Sequence, residues 1–253
     1  MTTRFADKVV LVTGATSGVG KAVAVRVAAE GAAVVLGARG AEAGEKTAAE
    51  IRAAGGRAVF VPADVTNEAD VARLTRTALD EFGRLDAAFN NVGAVTAAGA
   101  VQDIDTGDWH SEIGLNLTSV FYGLRHQVPA IAAAGGGAIL NNASNLGAVG
   151  MATVAPYVAA KHGVVGLTKA VALEGAEHGV RVNAVLSGAV DTPAFRSSMG
   201  ATAEGEAAVT ALHPLGRIST AEEIATFCAF LLSDESAFVT GAALSIDGGY
   251  TAR

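Results

Sequence analysis

A single cysteine, Cys228, excludes an intrachain disulfide framework and leaves no thiol cluster to hold a metal. It sits in the apolar run Ile224 to Leu232, which reads as a buried structural thiol. The five histidines, His110, His126, His162, His178 and His213, are scattered without metal-ligand spacing. Basic residues are few: 18 Lys and Arg stand against 25 Asp and Glu, for a net charge of −7. Phosphate neutralisation needs clustered cations, so the charge balance argues against general nucleic-acid binding and gives no reason to expect affinity for anionic membranes. Charges at Arg4, Asp7 and Lys8 break any secretory signal pattern, and no uncharged apolar run is long enough for a membrane span. A soluble, cytoplasmic protein is expected. Linkers, repeats and low-complexity blocks are also missing, so residues 1–253 read as one domain.

The chain is 51% hydrophobic and carries 31 glycines. Short β-branched runs alternate with Ala-rich helical stretches. Strands are predicted at Val9 to Val12, Ala33 to Leu36, Ala58 to Val61, Asp86 to Phe89, Ala138 to Asn141, Val180 to Val185 and Ala243 to Ile246. Helices are predicted at Gly18 to Ala29, Ala41 to Ala53, Asn67 to Phe82, Trp109 to Gln127 and Pro156 to Glu177. Strands apolar on both faces and separated by helices indicate an α/β fold, a doubly wound parallel sheet of Rossmann-like type. Residues 188–216 lack a clean period and contain Gly188, Pro193, Gly200, Gly205 and Pro214, which predicts a mobile substrate lid.

Between the first strand and first helix lies Thr13-Gly14-Ala15-Thr16-Ser17-Gly18-Val19-Gly20. Gly14 permits a tight turn, and Gly18 and Gly20 let the backbone approach a pyrophosphate, which the helix N-terminus would attract. Strand two ends Leu36-Gly37-Ala38-Arg39, with no carboxylate to bind the adenine ribose hydroxyls. The Arg39 guanidinium could pair with a 2′-phosphate, which favours NADP(H) with NAD(H) as the alternative; a solvated arginine stacking on adenine suits either.

Tyr157 and Lys161 share a helix face as an i, i+4 pair, with Ser144 thirteen residues before the tyrosine and Asn116 further upstream. An ammonium beside a phenol favours the phenolate, so Lys161 is expected to bring Tyr157 within reach of acid–base work. Ser144 could donate a hydrogen bond to the same substrate oxygen. Taken singly, each residue has a plain structural reading: a turn cap, a backbone-satisfying amide, a surface pair. No Gly-x-Ser-x-Gly elbow surrounds Ser144, and no Gly-Lys-Ser/Thr follows the glycine turn.

The Thr-Gly-x-x-x-Gly-x-Gly spacing resembles the short-chain dehydrogenase/reductase family, and the resemblance covers nearly the whole chain. It implies a catalytic tetrad of Asn116, Ser144, Tyr157 and Lys161, with Asn116 securing a water next to the lysine. It implies that Asp64 contacts adenine, that Asn90-Asn91-Val92-Gly93 stands for Asn-Asn-Ala-Gly, and that Thr192 binds the carboxamide. Ser17, Val19, Val65, Asn91, Gly93, Gly188, Val190, Tyr157 and Lys161 complete the cofactor contacts. Asn183, at the end of the sixth strand, matches a framework position. Ser187-Gly188 stands where Pro-Gly is usual, which predicts a looser backbone.

The substrate pocket is expected to draw on Val95, Thr96, Asn145, Leu146, Met151, Phe195 and Met199, mostly apolar side chains that could equally be core filling. The function implied is NAD(P)-dependent interconversion of a small-molecule ketone and a secondary alcohol. The alternatives are a 3-oxoacyl-thioester (acyl-carrier-protein) reductase and, from another class, a non-catalytic dinucleotide-sensing protein. The resemblance also implies a homotetramer, packed through the helices near 109–127 and 156–177 and a C-terminal segment from Phe238 to Tyr250.

Overall fold

The structure, a computed structural model, describes residues 3–252. The chain runs β1 (Val9–Thr13), α1 (Gly18–Ala29), β2 (Ala33–Ala38), α2 (Ala41–Ala53), β3 (Arg57–Pro62), α3 (Glu68–Phe82) and β4 (Ala87–Asn90). A second half follows with α4 (Thr106–Ile113), a π turn (Gly114–Thr118), α5 (Ser119–Ala133), β5 (Gly137–Asn142), α6 (Ala155–Ala176) and β6 (Val180–Ser187). It closes with β7 (Val190–Asp191), α7 (Pro193–Arg196), α8 (Ala203–Ala211), β8 (Ser219–Thr220), α9 (Ala221–Leu232) and β9 (Ala243–Ile246).

Seven strands form one parallel sheet in the order β3-β2-β1-β4-β5-β6-β9. Alternation along β1 explains why both faces are covered. Val10 and Val12 pack with Val23 and Val27 of α1 and Ile224 and Cys228 of α9. Val9 and Leu11 belong to the opposite cluster, with Leu74 of α3, Leu124 and Ile131 of α5 and Val164 of α6. Leu11 is fully buried, and truncating such a side chain to alanine costs about 2–5 kcal/mol. Strand order reverses between β1 and β4, which opens a crevice at the carboxyl ends of the strands, where doubly wound folds place their ligands.

Several expectations need correction. The helix expected from Trp109 to Gln127 is longer and interrupted: α4 and α5 flank the π turn at Gly114–Thr118. β4 starts one residue late, because the Asp86 carboxylate accepts the Val9 amide at 2.8 Å and pairs with Arg84. Asn183 lies in the middle of β6, where its Nδ2 donates to Val239 O and its Oδ1 accepts from Ala242 N. The backbone at Ser187 is not loose: β6 runs through it in register with Ile246, and Gly188 N donates to Ile246 O at 3.1 Å. Residues 188–216 contain the short β7, which pairs with β8 just beyond them, and helices α7 and α8, elements too brief to leave a period in the sequence.

Candidate active site

The glycine turn closes tightly at the carboxyl end of β1. Gly14 and Gly18 hold φ of +66° and +52°, a region costly for other residues. A Cβ on Gly20 would stand 2.3 Å from Gly14 O, so the crossing tolerates no side chain. Ser17 caps α1 without a side-chain hydrogen bond, and the first-turn amides are left for an anion. These features fit the pyrophosphate of a dinucleotide. The half-buried side chains of Val19 and Val190 pack against the core.

Of the other expected cofactor residues, Asn91 and Thr192 lie against this turn. Asn91 N donates to Thr13 Oγ1 at 3.0 Å and its Nδ2 to Thr13 O at 3.1 Å, joining the ends of β4 and β1. Thr192 lies against the glycine turn, its γ-methyl 2.9 Å from where a Gly18 Cβ would project. Its Oγ1 accepts from Phe195 N, which leaves its hydroxyl proton free to donate. Gly188 lies against His213 and Asp247, with no room for a Cβ. Asp64 follows β3; backbone and hydroxyl hydrogen bonds from Thr66 hold its carboxyl below the ordinary range, with a further contribution from the Arg39 charge. Val65 beside it is buried, whereas Arg39 at the end of β2 is exposed and makes no ion pair among the described residues.

The four residues expected to do chemistry come from three different segments. α6 opens with Pro156 in its first turn, a position that needs no amide hydrogen bond. Its buried stripe Ala160, Lys161, Val164, Thr168, Ala172 and Gly175 turns one face to the sheet and so carries Lys161 inward. Lys161 is 1% exposed; its Nζ donates to Asn142 O at 2.9 Å and lies 5.4 Å from the centre of the Tyr157 ring. Ser144 lies near enough to the Tyr157 hydroxyl to pull its pKa down, and its Oγ donates to Asn145 Oδ1 at 3.1 Å. Ser144 sits at φ +59° and ψ 156°, a conformation normally left to glycine. Gly93 marks where the pieces meet, since a Cβ there would stand 2.7 Å from Lys161 Nζ and 2.8 Å from Asn116 Oδ1.

The electrostatics revise one expectation. Burial pushes the Tyr157 phenol up to about 12, against a smaller downward pull from Ser144. The same burial pushes Lys161 down to about 8. Desolvation therefore outweighs the expected pull of Lys161 on the phenol, and the resting pair favours a protonated tyrosine. A protonated phenol is the form that can donate to a carbonyl oxygen.

The expected substrate residues divide. Val95 (46% exposed), Met151 and Met199 (58%) present apolar surface. Leu146 and Phe195 are buried, each 6% exposed, and the Phe195 ring lies against Gly200. Asn145 is turned toward Ser144. Sequence reasoning missed Glu112, a fully buried carboxylate one helical turn before Asn116 that bonds both Asn116 and Thr96. Its spacing, Glu-x-x-x-Asn, was the available signal. Among the described residues no His, Cys, Asp and Glu cluster could hold a metal ion, and no helix is long and apolar enough to cross a membrane.

Comparison with known proteins agrees with this geometry. The family model described as Enoyl-(Acyl carrier protein) reductase matches residues 14–251. Cyclohexanol dehydrogenase of Acinetobacter sp. (strain SE19) is 44% identical over 253 residues, covering 100% of this chain and 98% of that protein. Cis-4-hydroxycyclohexanecarboxylate dehydrogenase of Sinomonas cyclohexanicum is 44% identical over 248 residues, 98% of each chain. The crystal structure of levodione reductase superposes with a TM-score of 0.94 at 36% identity, covering 98% of this chain and 99% of that one. With motifs, sheet order and relatives in agreement along its whole length, the chain belongs to the short-chain dehydrogenase/reductase family.

Proposed function

We propose that this chain is an NAD(P)-dependent oxidoreductase that interconverts a secondary alcohol on a six-membered carbon ring and the corresponding ketone. The observation that carries the reaction type is the buried Lys161 ammonium 5.4 Å from the Tyr157 ring centre, with Ser144 acting on the same phenol. The ring preference is supported by the names of the relatives above and by the apolar surface of Val95, Met151 and Met199. The nicotinamide, when bound, supplies or accepts the hydride. Ser144 holds the substrate oxygen, and Tyr157 gives it a proton in reduction or takes one in oxidation. Lys161 stabilises the phenolate by charge, and Asn116 holds the segment that faces it.

The glycine turn, Asp64, Asn91, Gly93 and Thr192 would hold the dinucleotide. NADP(H) is the form favoured here, since Arg39 is exposed, makes no ion pair among the described residues, and is placed where strand two ends. Residues 188–216 would form the lid, and the protein would work in the cytoplasm as a homotetramer. The test is the initial rate with cyclohexanol and cyclohexanone in both coenzymes, with Tyr157→Phe alongside. Turnover by the native chain and a loss of about 10³-fold or more in the variant, at unchanged coenzyme affinity, is the expected result. Full turnover by the variant would remove Tyr157 from the mechanism. A second reading, a 3-oxoacyl-thioester reductase, is favoured by the acyl-carrier-protein description of the family model. It would prevail if a 3-oxoacyl thioester were turned over faster than the cyclic ketones.

A further inference from the structure

Glu112 is fully buried, the one buried residue of α4, and an ionisable group so placed is costly unless it is fully bonded. It is fully bonded. Its Oε2 accepts the Thr96 amide at 2.7 Å, the Ala97 amide at 3.0 Å and the Thr96 hydroxyl. Its Oε1 accepts Asn116 Nδ2 at 3.0 Å. Four donors converging on two oxygens is the pattern of a carboxylate acceptor. Asn116 continues the clamp: its Nδ2 donates to Ala94 O and its Oδ1 accepts Ala94 N. The segment after β4 has no regular hydrogen bonding of its own, so these two side chains supply the partners of residues 94, 96 and 97. That segment leads from Gly93, which adjoins Lys161 and Asn116, to Val95 on the substrate side.

We propose that Glu112 is a positioning residue of the reaction, whose buried carboxylate fixes the Asn116 amide and the 94–97 segment against the Tyr157–Lys161 pair. The inference rests on the reading of that pair as the acid–base machinery. Geometry is one arm of the effect and charge the other. The Glu112 charge opposes ionisation of Tyr157 and favours the protonated Lys161, raising both. The other ionisable groups on elements packed against α6 are Asp108 and His110 on α4, Tyr122, Arg125 and His126 on α5, and Arg181 on β6. Asp108, His110 and Arg125 are exposed, His126 faces Glu68, and Arg181 is bonded to the carbonyls of Leu231, Ser233 and Val239. Within α6, His162 is exposed and bonded to Val158 O. Glu112 is thus the carboxylate that acts on the pair.

The experiment compares native protein, Glu112→Gln, Glu112→Asp and Tyr157→Phe in cyclohexanol oxidation, from neutral pH upward as far as the native fold holds, a range that takes in Lys161 near 8 and runs toward the tyrosine. Removing the charge lowers the pKa of the pair. The ascending limb of kcat/KM in Glu112→Gln should therefore move to lower pH by about half to one unit. Its kcat should fall about tenfold or more as the 94–97 segment loses its anchor. Glu112→Asp keeps the charge and should keep the native limb. A limb unmoved in Glu112→Gln overturns the proposal whatever its kcat, because a purely structural glutamate would change stability and rate without moving it. Should that variant not fold, Glu112→Leu, which sets no misplaced donor against the Thr96 and Ala97 amides, is read for the same limb. Activity retained in Tyr157→Phe would instead sink the underlying acid–base reading, so the two failures are distinct.

Discussion

Lys161 reaches the surface of Gly93 so closely that a methyl group on the glycine would stand 2.7 Å from the ammonium and 2.8 Å from Asn116 Oδ1. The absence of a side chain at residue 93 is therefore what lets α6, the π turn and the end of β4 meet. Gly93→Ala should push the lysine and the amide aside by several tenths of an ångström. Turnover is expected to fall by about 10²-fold, as small misplacements of catalytic groups do. Steady-state kinetics beside a thermal melt checks this; native kcat would show that the contact has slack.

Ser144 pairs a chemical role with an uncomfortable backbone. At φ +59° the residue stores strain of about 1–3 kcal/mol that glycine would not. Ser144→Gly and Ser144→Ala should both lose most of their turnover, since both lose the hydroxyl. Ser144→Gly should nevertheless be more stable than Ser144→Ala by about 1 kcal/mol. Urea denaturation of the two variants decides it, and equal midpoints would mean the strain is not there.

Burial of Lys161 has a cost that pH can reveal. Its folded pKa, near 8, is depressed from 10.5, so the unfolded chain binds more protons between those values. Stability should rise with pH through that window. Lys161→Met removes the penalty: it should abolish activity yet stabilise the protein by about 1–3 kcal/mol at neutral pH, with the gain fading as pH passes the unfolded value. Chemical denaturation at two pH values would show the trend, and a destabilised variant would mean that the bond to Asn142 O outweighs desolvation.

Arg39 stands free at the end of β2, close enough to Asp64 to influence it electrostatically. Arg39→Asp should weaken NADPH about tenfold or more while leaving NADH unchanged or tighter. Fluorescence titration with each coenzyme measures it. Unchanged dissociation constants for both would take Arg39 out of the cofactor site.

The sheet was legible because β1, β2 and β5 are apolar on both faces and each is bounded by a glycine or polar turn. The glycine turn and the Tyr157–Lys161 pair were legible because each is local: a few residues at fixed spacing on one strand–helix junction or one helix face. What escaped was everything set by contacts between distant segments. Glu112 looks like any helix-surface glutamate until the 94–97 segment is folded against it. Phe195 and Leu146 looked like pocket lining because their neighbours in sequence flank the site, while their own side chains turn inward. The tyrosine–lysine electrostatics failed for the same reason, since charge proximity is visible along a helix and depth of burial is not.

The π turn at Gly114–Thr118 carries a consequence for how this chain can vary. A π turn amounts to one residue more than an α-helix needs, so removing a residue there would heal the helix into an unbroken coil. The flanks would keep their phase, since a π turn of this length winds about as far as an α-helix one residue shorter, yet the widened turn that carries Asn116 would be gone. Asn116, inside that turn, would then lose the position from which it bonds both Ala94 and Glu112. Length in this helix is therefore a chemical quantity: the chain can exchange many of its letters, but it cannot drop this one and keep its trade.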